Sequence, residues 1–106
     1  MTTPEDRLTD FTDRVVVVTG GSRGLGRAMV GAFARCGADV VIASRKLDAC
    51  EALAAEVVGA TGRRALPIAC HVGDWDQCDA LTEAVYDEFG RCDVLVNNAG
   101  SSPLYP

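Results

Sequence analysis

A doubly wound α/β fold, a parallel sheet with helices on both faces, is the fold class this sequence predicts, and three observations predict it. Short apolar runs suited to buried strands alternate with stretches whose apolar residues recur every three or four positions. The connections are short, so four strands and three helices follow in regular alternation, which calls for right-handed crossovers onto a parallel sheet. Finally, Pro67 falls inside the third strand, where the lost ladder donor is tolerated only at a sheet edge. The doubly wound strand order 3-2-1-4 puts the third strand at that edge.

Each element can be justified in turn. Residues 1–13 are a polar lead-in, with Leu8 and Phe11 available to lie against the domain that residues 14–106 form. Val15 begins a run of four valines that suits a strand buried on both faces. Gly20 to Gly26 make a tight turn, and Leu25, Ala28, Met29, Ala32, Phe33 and Cys36 then mark the apolar face of a first helix. Gly37 is placed for its left-handed C-cap. Asp39 to Ser44 read as the second strand. From Leu47, the positions Cys50, Leu53, Ala54, Val57 and Val58 give a second helix, with Asp48 and Glu51 favoured by its dipole and Gly59 and Gly62 closing it. Arg64 to Val72 form the third strand. Asp74 and Gln77 are spaced as a capping box, and Cys78, Leu81, Val85 and Phe89 line the third helix, which Gly90 stops. Asp93 to Asn97 supply the fourth strand.

Composition bounds the function. With 106 residues, 48% apolar and 24% charged, the chain has the make-up of one small globular domain. A net charge of −5 argues against nucleic acid as partner, because the phosphate backbone needs a basic face. No apolar stretch approaches the roughly 20 residues of a membrane span, and residues 1–13 are polar and partly acidic, unlike a signal or transit peptide, so a cytoplasmic location is expected. Five cysteines without a C-x-x-C pair, and the single His71, complete no metal set; reduced thiols in apolar sites are expected.

The turn carries the first functional signal. A buried strand, a glycine turn and a helix opening at once bring free N–H groups and the positive helix end to one place, which suits a phosphate. Gly20, Gly24 and Gly26 can serve by allowing positive φ, by letting a pyrophosphate approach, or by letting helix and strand pack closely. A dinucleotide-binding crevice in a Rossmann-like fold is the reading.

Thr19-Gly20-Gly21-Ser22-Arg23-Gly24-Leu25-Gly26 and Asn97-Asn98-Ala99-Gly100 resemble the T-G-x-x-x-G-x-G turn and the N-N-A-G motif of the short-chain dehydrogenase/reductase family. Each follows its proper strand, about one βαβαβ half apart, and the resemblance covers roughly residues 10–104. It implies an oxidoreductase that moves a hydride between a nicotinamide dinucleotide and a small carbonyl or alcohol. It also implies that Gly20, Gly21, Ser22, Arg23, Gly24, Leu25 and Gly26 wrap the pyrophosphate and adenosine ribose. Asn98, Ala99 and Gly100 would lie along the ribose, and Asn97 would tie the central strands together.

The second strand ends Ser44-Arg45-Lys46, without the acidic residue that selects a free ribose 2′-hydroxyl. Arg45 can fork onto a 2′-phosphate, Ser44 can donate to it and Arg23 can approach from the turn, so NADP(H) is favoured over NAD(H). The alternative is that Arg45 and Lys46 are solvated charges before a helix. Where the family often has an acid followed by Val, this chain has His71-Val72. The imidazole either meets the adenine or is a structural residue, and Asp74 is read as a helix cap.

The family's catalytic Ser and Y-x-x-x-K pair have no counterpart: Tyr86 has Gly90 four residues on, only Pro106 follows Tyr105, and Ser101 and Ser102 come too early. The sequence therefore reads as a truncated fold, the cofactor-binding half of a longer enzyme and inactive alone. Homo-oligomers are expected only at full length. The competing reading is a non-catalytic NADP(H)-binding module or a fragment that docks on another subunit. Without a fifth strand, Val94-Leu95-Val96 becomes an exposed apolar edge.

Overall fold

The computed structural model describes residues 10–98. Its elements alternate as expected: β1 (Val15–Thr19), α1 (Gly24–Arg35), β2 (Asp39–Ser44), α2 (Leu47–Thr61), β3 (Ala65–Ala69), α3 (Trp75–Phe89) and β4 (Val94–Asn97). The strands form one parallel sheet in the order β3-β2-β1-β4. Pro67 stands opposite Ile42 on the edge strand, where its missing N–H breaks no inner ladder.

Strand alternation divides the core between the two faces. Val16, Val18, Val40 and Ile42 point to one side, where Val30 and Ala34 of α1 and Cys50, Leu53 and Val57 of α2 cover them. Val15, Val17, Val41 and Ala43 point to the other, against Leu81 and Val85 of α3. Both sides of β1 and β2 are thus dry, and burying each valine or isoleucine contributes about 1.5–3 kcal/mol. Phe11 packs edge-on against Phe33, with ring centroids 5.1 Å apart, which fixes the entry to β1. Leu8 lies outside the described residues.

Three local expectations are corrected. The buried stripe of α1 is Gly26, Val30 and Ala34, whereas Leu25, Ala28 and Ala32 face outward. The cause is Gly26, which packs through having no side chain and so is invisible to a count of apolar residues. Gly59 lies inside α2, which runs on to Thr61 and stops at Gly62 with φ +73°. The third strand ends at Ala69: Cys70 N donates to Ser44 O at 2.8 Å, β2 ends there, and residues 71–72 have no facing strand residue to pair with.

β4 is an exposed edge. Among the described residues it pairs with β1 alone, and Leu95 is 64% exposed.

Candidate functional site

A parallel sheet places the carboxyl ends of all its strands at one rim. Here that rim gathers the Gly20–Gly26 turn after β1, Ser44-Arg45-Lys46 after β2, His71-Val72 after β3, and Asn97-Asn98 at the end of β4. Ala99 and Gly100 lie outside the described residues.

The turn is built by division of labour among its glycines. Gly20 and Gly24 have φ of +67° and +59°, a region side chains rarely enter. A Cβ on Gly26 would stand 2.1 Å from Gly20 O, so only glycine lets the helix close on the turn. A Cβ on Gly24 would meet nothing within 4 Å, so that position opens onto space a ligand can use. Gly20 N and Gly21 N both point to Ala43 O, at 2.7 and 3.4 Å, which binds the turn to the end of β2.

The N-terminus of α1 is left open. Arg23 holds the N-cap position in extended conformation without a side-chain cap, and no acid sits in the first turn. Arg27 N to Arg23 O, 3.2 Å, is the first helical bond, so the N–H groups of Gly24, Leu25 and Gly26 precede it. At the same rim α3 is closed: Asp74 Oδ1 accepts from Asp76 N at 2.9 Å and Gln77 N at 3.2 Å. Gln77 does not complete a reciprocal box. Its Oε1 accepts from His71 N at 2.8 Å, while Asp74 N donates to His71 O.

The central strands are tied as expected of Asn97. Thr19 Oγ1 donates to Asn97 Oδ1 at 3.0 Å and accepts from Asn98 N at 3.1 Å, and Asn98 Nδ2 reaches Gly20 O at 3.5 Å. Beside this tie, a mostly apolar cavity of about 410 Å³ opens between α3 and β4, with Thr19 and Asn97 at its polar end and Leu81, Val85 and Leu95 in its wall.

Charge is unevenly placed. Among the described residues Arg23, Arg45 and Lys46 make no ion pair, and all three are exposed at this rim. Ser44 Oγ accepts from Lys46 N at 3.2 Å and lies 3.1 Å from Cys50 Sγ. His71 Nδ1 accepts from Gly73 N at 3.2 Å, which puts the proton of the neutral ring on Nε2. Val72 is half-buried beside it.

Sequence reasoning passed over several residues of this rim. Thr19 was seen as a motif letter, but its hydroxyl is a hub of the central tie. Cys50 falls four residues beyond Lys46, a spacing that sets it under the turn. Trp75 is 85% exposed next to the His71 loop, and only its place after the N-cap signals that. The five cysteines are free thiols. Burial first, then the neighbouring Cys78, pushes the Cys70 thiol above its ordinary range; burial and then Asp93 do the same for Cys92.

Comparison with known proteins follows the same lines. The profile of the short chain dehydrogenases matches residues 14–106. Short chain dehydrogenase pigC of Monascus ruber is 46% identical over 97 residues, which cover 86% of this chain and 32% of that protein. L-sorbose reductase of Gluconobacter frateurii, solved in complex with NADPH and L-sorbose, superposes with a TM-score of 0.86 at 35% identity, covering 92% of this chain and 37% of that one. A metagenomic short-chain oxidoreductase in complex with NADP gives a TM-score of 0.79 at 41% identity, covering 85% and 40%. The chain spans about a third of the length of the curated relatives it matches.

Proposed function

The chain belongs to the short chain dehydrogenase family, and we propose that it is the cofactor-binding half of an oxidoreductase that transfers a hydride between NADP(H) and a small carbonyl or alcohol. One observation carries the cofactor choice. The rim has Arg23, Arg45 and Lys46, without an ion pair among the described residues, around an uncapped helix N-terminus, and no carboxylate ends β2. The complexes of L-sorbose reductase with NADPH and of the metagenomic oxidoreductase with NADP support the same choice.

The residues fit a dinucleotide in detail. The open N–H groups of Gly24, Leu25 and Gly26, with Gly20, Gly21 and Ser22 shaping the approach, hold the pyrophosphate at the positive end of α1. Arg45 forks onto the 2′-phosphate, Ser44 donates to it, and Arg23 closes from the turn. His71 presents an Nε2–H to the adenine edge, with Val72 beneath it. Asn98 lies along the ribose. When bound, the dinucleotide supplies or accepts the hydride. None of the described residues is assigned the accompanying proton transfer, so turnover belongs to an intact enzyme.

Calorimetric titration of the chain with NADPH and with NADH, after circular dichroism shows it folded, tests this. NADPH should bind at least about tenfold more tightly, the worth of a charge-assisted pair at the 2′-phosphate. Equal affinities would remove the NADP(H) assignment, and a folded chain that binds neither would remove the autonomous cofactor site.

A further inference from the structure

We propose that Cys50 is a positioning residue whose thiol turns the Ser44 hydroxyl proton outward to the 2′-phosphate of NADP(H). The proposal rests on the NADP(H) reading above and adds a cofactor-specificity role for a core cysteine.

Cys50 is 0% exposed, among the aliphatic side chains of α2 and the sheet. A thiol there has an S–H to place, and among the described residues its polar contact is Ser44 Oγ at 3.1 Å. The Ser44 oxygen has two lone pairs and one proton. Lys46 N–H fills the first lone pair at 3.2 Å. At 3.1 Å either partner can donate; donation from Cys50, the proposed direction, fills the second and leaves the hydroxyl able only to donate.

Among the described residues the acceptors within reach are the weak Cys50 Sγ and Lys46 O at 3.5 Å, the latter at the limit of a hydrogen bond and already taking Cys50 N at 3.1 Å. A phosphate oxygen is charged and accepts more strongly, so the hydroxyl swings to it with little lost. A free ribose 2′-hydroxyl gains less, because Ser44 has no lone pair left to accept its proton. The same contacts fix the backbone of residues 44–46, and with it the base of Arg45.

The test is calorimetric binding of NADPH and NADH to the whole chain, comparing the wild type with Cys50→Val, Cys50→Ser, Ser44→Ala and Arg45→Ala. Cys50→Val keeps the core filled and removes the donor. It should weaken NADPH roughly five- to tenfold, about the worth of one ordinary hydrogen bond, and leave NADH within about twofold. Cys50→Ser, a stronger donor, should restore NADPH affinity, and Ser44→Ala should match the loss in Cys50→Val. Equal weakening of both cofactors by Cys50→Val, no weakening, or failure of Cys50→Ser to restore would overturn the proposal. So would an unchanged NADPH affinity in Ser44→Ala, whether or not Cys50→Val folds. Arg45→Ala separates the layers. If it weakens NADPH while Cys50→Val does not, only the Cys50 role falls; if it changes nothing, the NADP(H) reading falls and takes the Cys50 role with it.

Discussion

The two rims of the sheet are made of the same kinds of residue and treat them in opposite ways. At the amino rim, charges are spent on the fold. Asp93 accepts from Val15 N at 2.8 Å and from Arg91 at 2.6 and 2.8 Å, while Asp39 accepts from Arg64 N at 3.0 Å. Asp93 thereby closes the first N–H of β1, and Asp39 that of the residue just before β3. Arg63 bridges Asp13 and Asp39, both at 3.2 Å, and Arg64 pairs with Glu88 over the Phe89 ring. The exceptions are Arg63 Nε, buried without a partner, and Arg35, whose charge suits the last turn of α1. At the carboxyl rim, Arg23, Arg45 and Lys46 make no ion pair with the described residues and α1 is uncapped. Function is read best where the chain leaves strong groups without a partner of its own.

This contrast can be broken. The largest effect is expected from Gly26→Ala, whose Cβ would stand 2.1 Å from a backbone oxygen of the turn. Displacing α1 from β1 should cost about 3 kcal/mol in urea unfolding. Calorimetry should show the affinity for NADPH and NADH lost together. A variant that keeps both affinities would mean the turn is not shaped by that contact. Next comes Arg45→Glu, which removes a phosphate partner and adds a repelling charge. The NADPH-to-NADH affinity ratio should fall on the order of 100-fold. Melting temperature should hold, since Arg45 makes no ion pair with the described residues. An unchanged ratio would make Arg45 a solvated charge.

Much of this was legible in the chain because it depends on local chemistry. The alternation of elements, the edge position of Pro67, the left-handed Gly37 and the helix stops at Gly62 and Gly90 follow from period and backbone sterics, and all are observed. What escaped depends on contacts distant in sequence or on the absence of a side chain. Gly26 rotated the buried face of α1 by packing through empty space, which apolar periodicity cannot register. The part of Thr19 in the tie expected of Asn97 joins residues 78 apart, and Ser44–Cys50 needs a helix folded back under a strand end. The amino rim was missed altogether: Asp13, Asp39 and Asp93 look in sequence like ordinary polar flanks of strands.

The smallest predicted effect probes that rim through pH. The Arg91 guanidinium beside Asp93, and then the Val15 N–H, hold its carboxyl below the usual carboxylate range. Because the unfolded chain takes up this proton more readily than the folded one, acid favours unfolding. The contribution is full above the ordinary value of about 3.9 and drains away as pH falls through that value toward the folded one. Asp10, lowered by its Thr12 hydrogen bonds, acts in the same direction. Asp93→Asn keeps an acceptor for Val15 N but gives up the charge. Its melting temperature should lie a few degrees below wild type at neutral pH, and the gap should narrow as both are acidified below about pH 4. Cofactor affinities at neutral pH should stay as in the wild type, because Asp93 stands at the opposite rim from Arg45. A gap that is constant with pH would show that the carboxylate's charge does not hold the amino rim. A loss of NADPH affinity comparable to that of Arg45→Glu would show that the two rims are not independent.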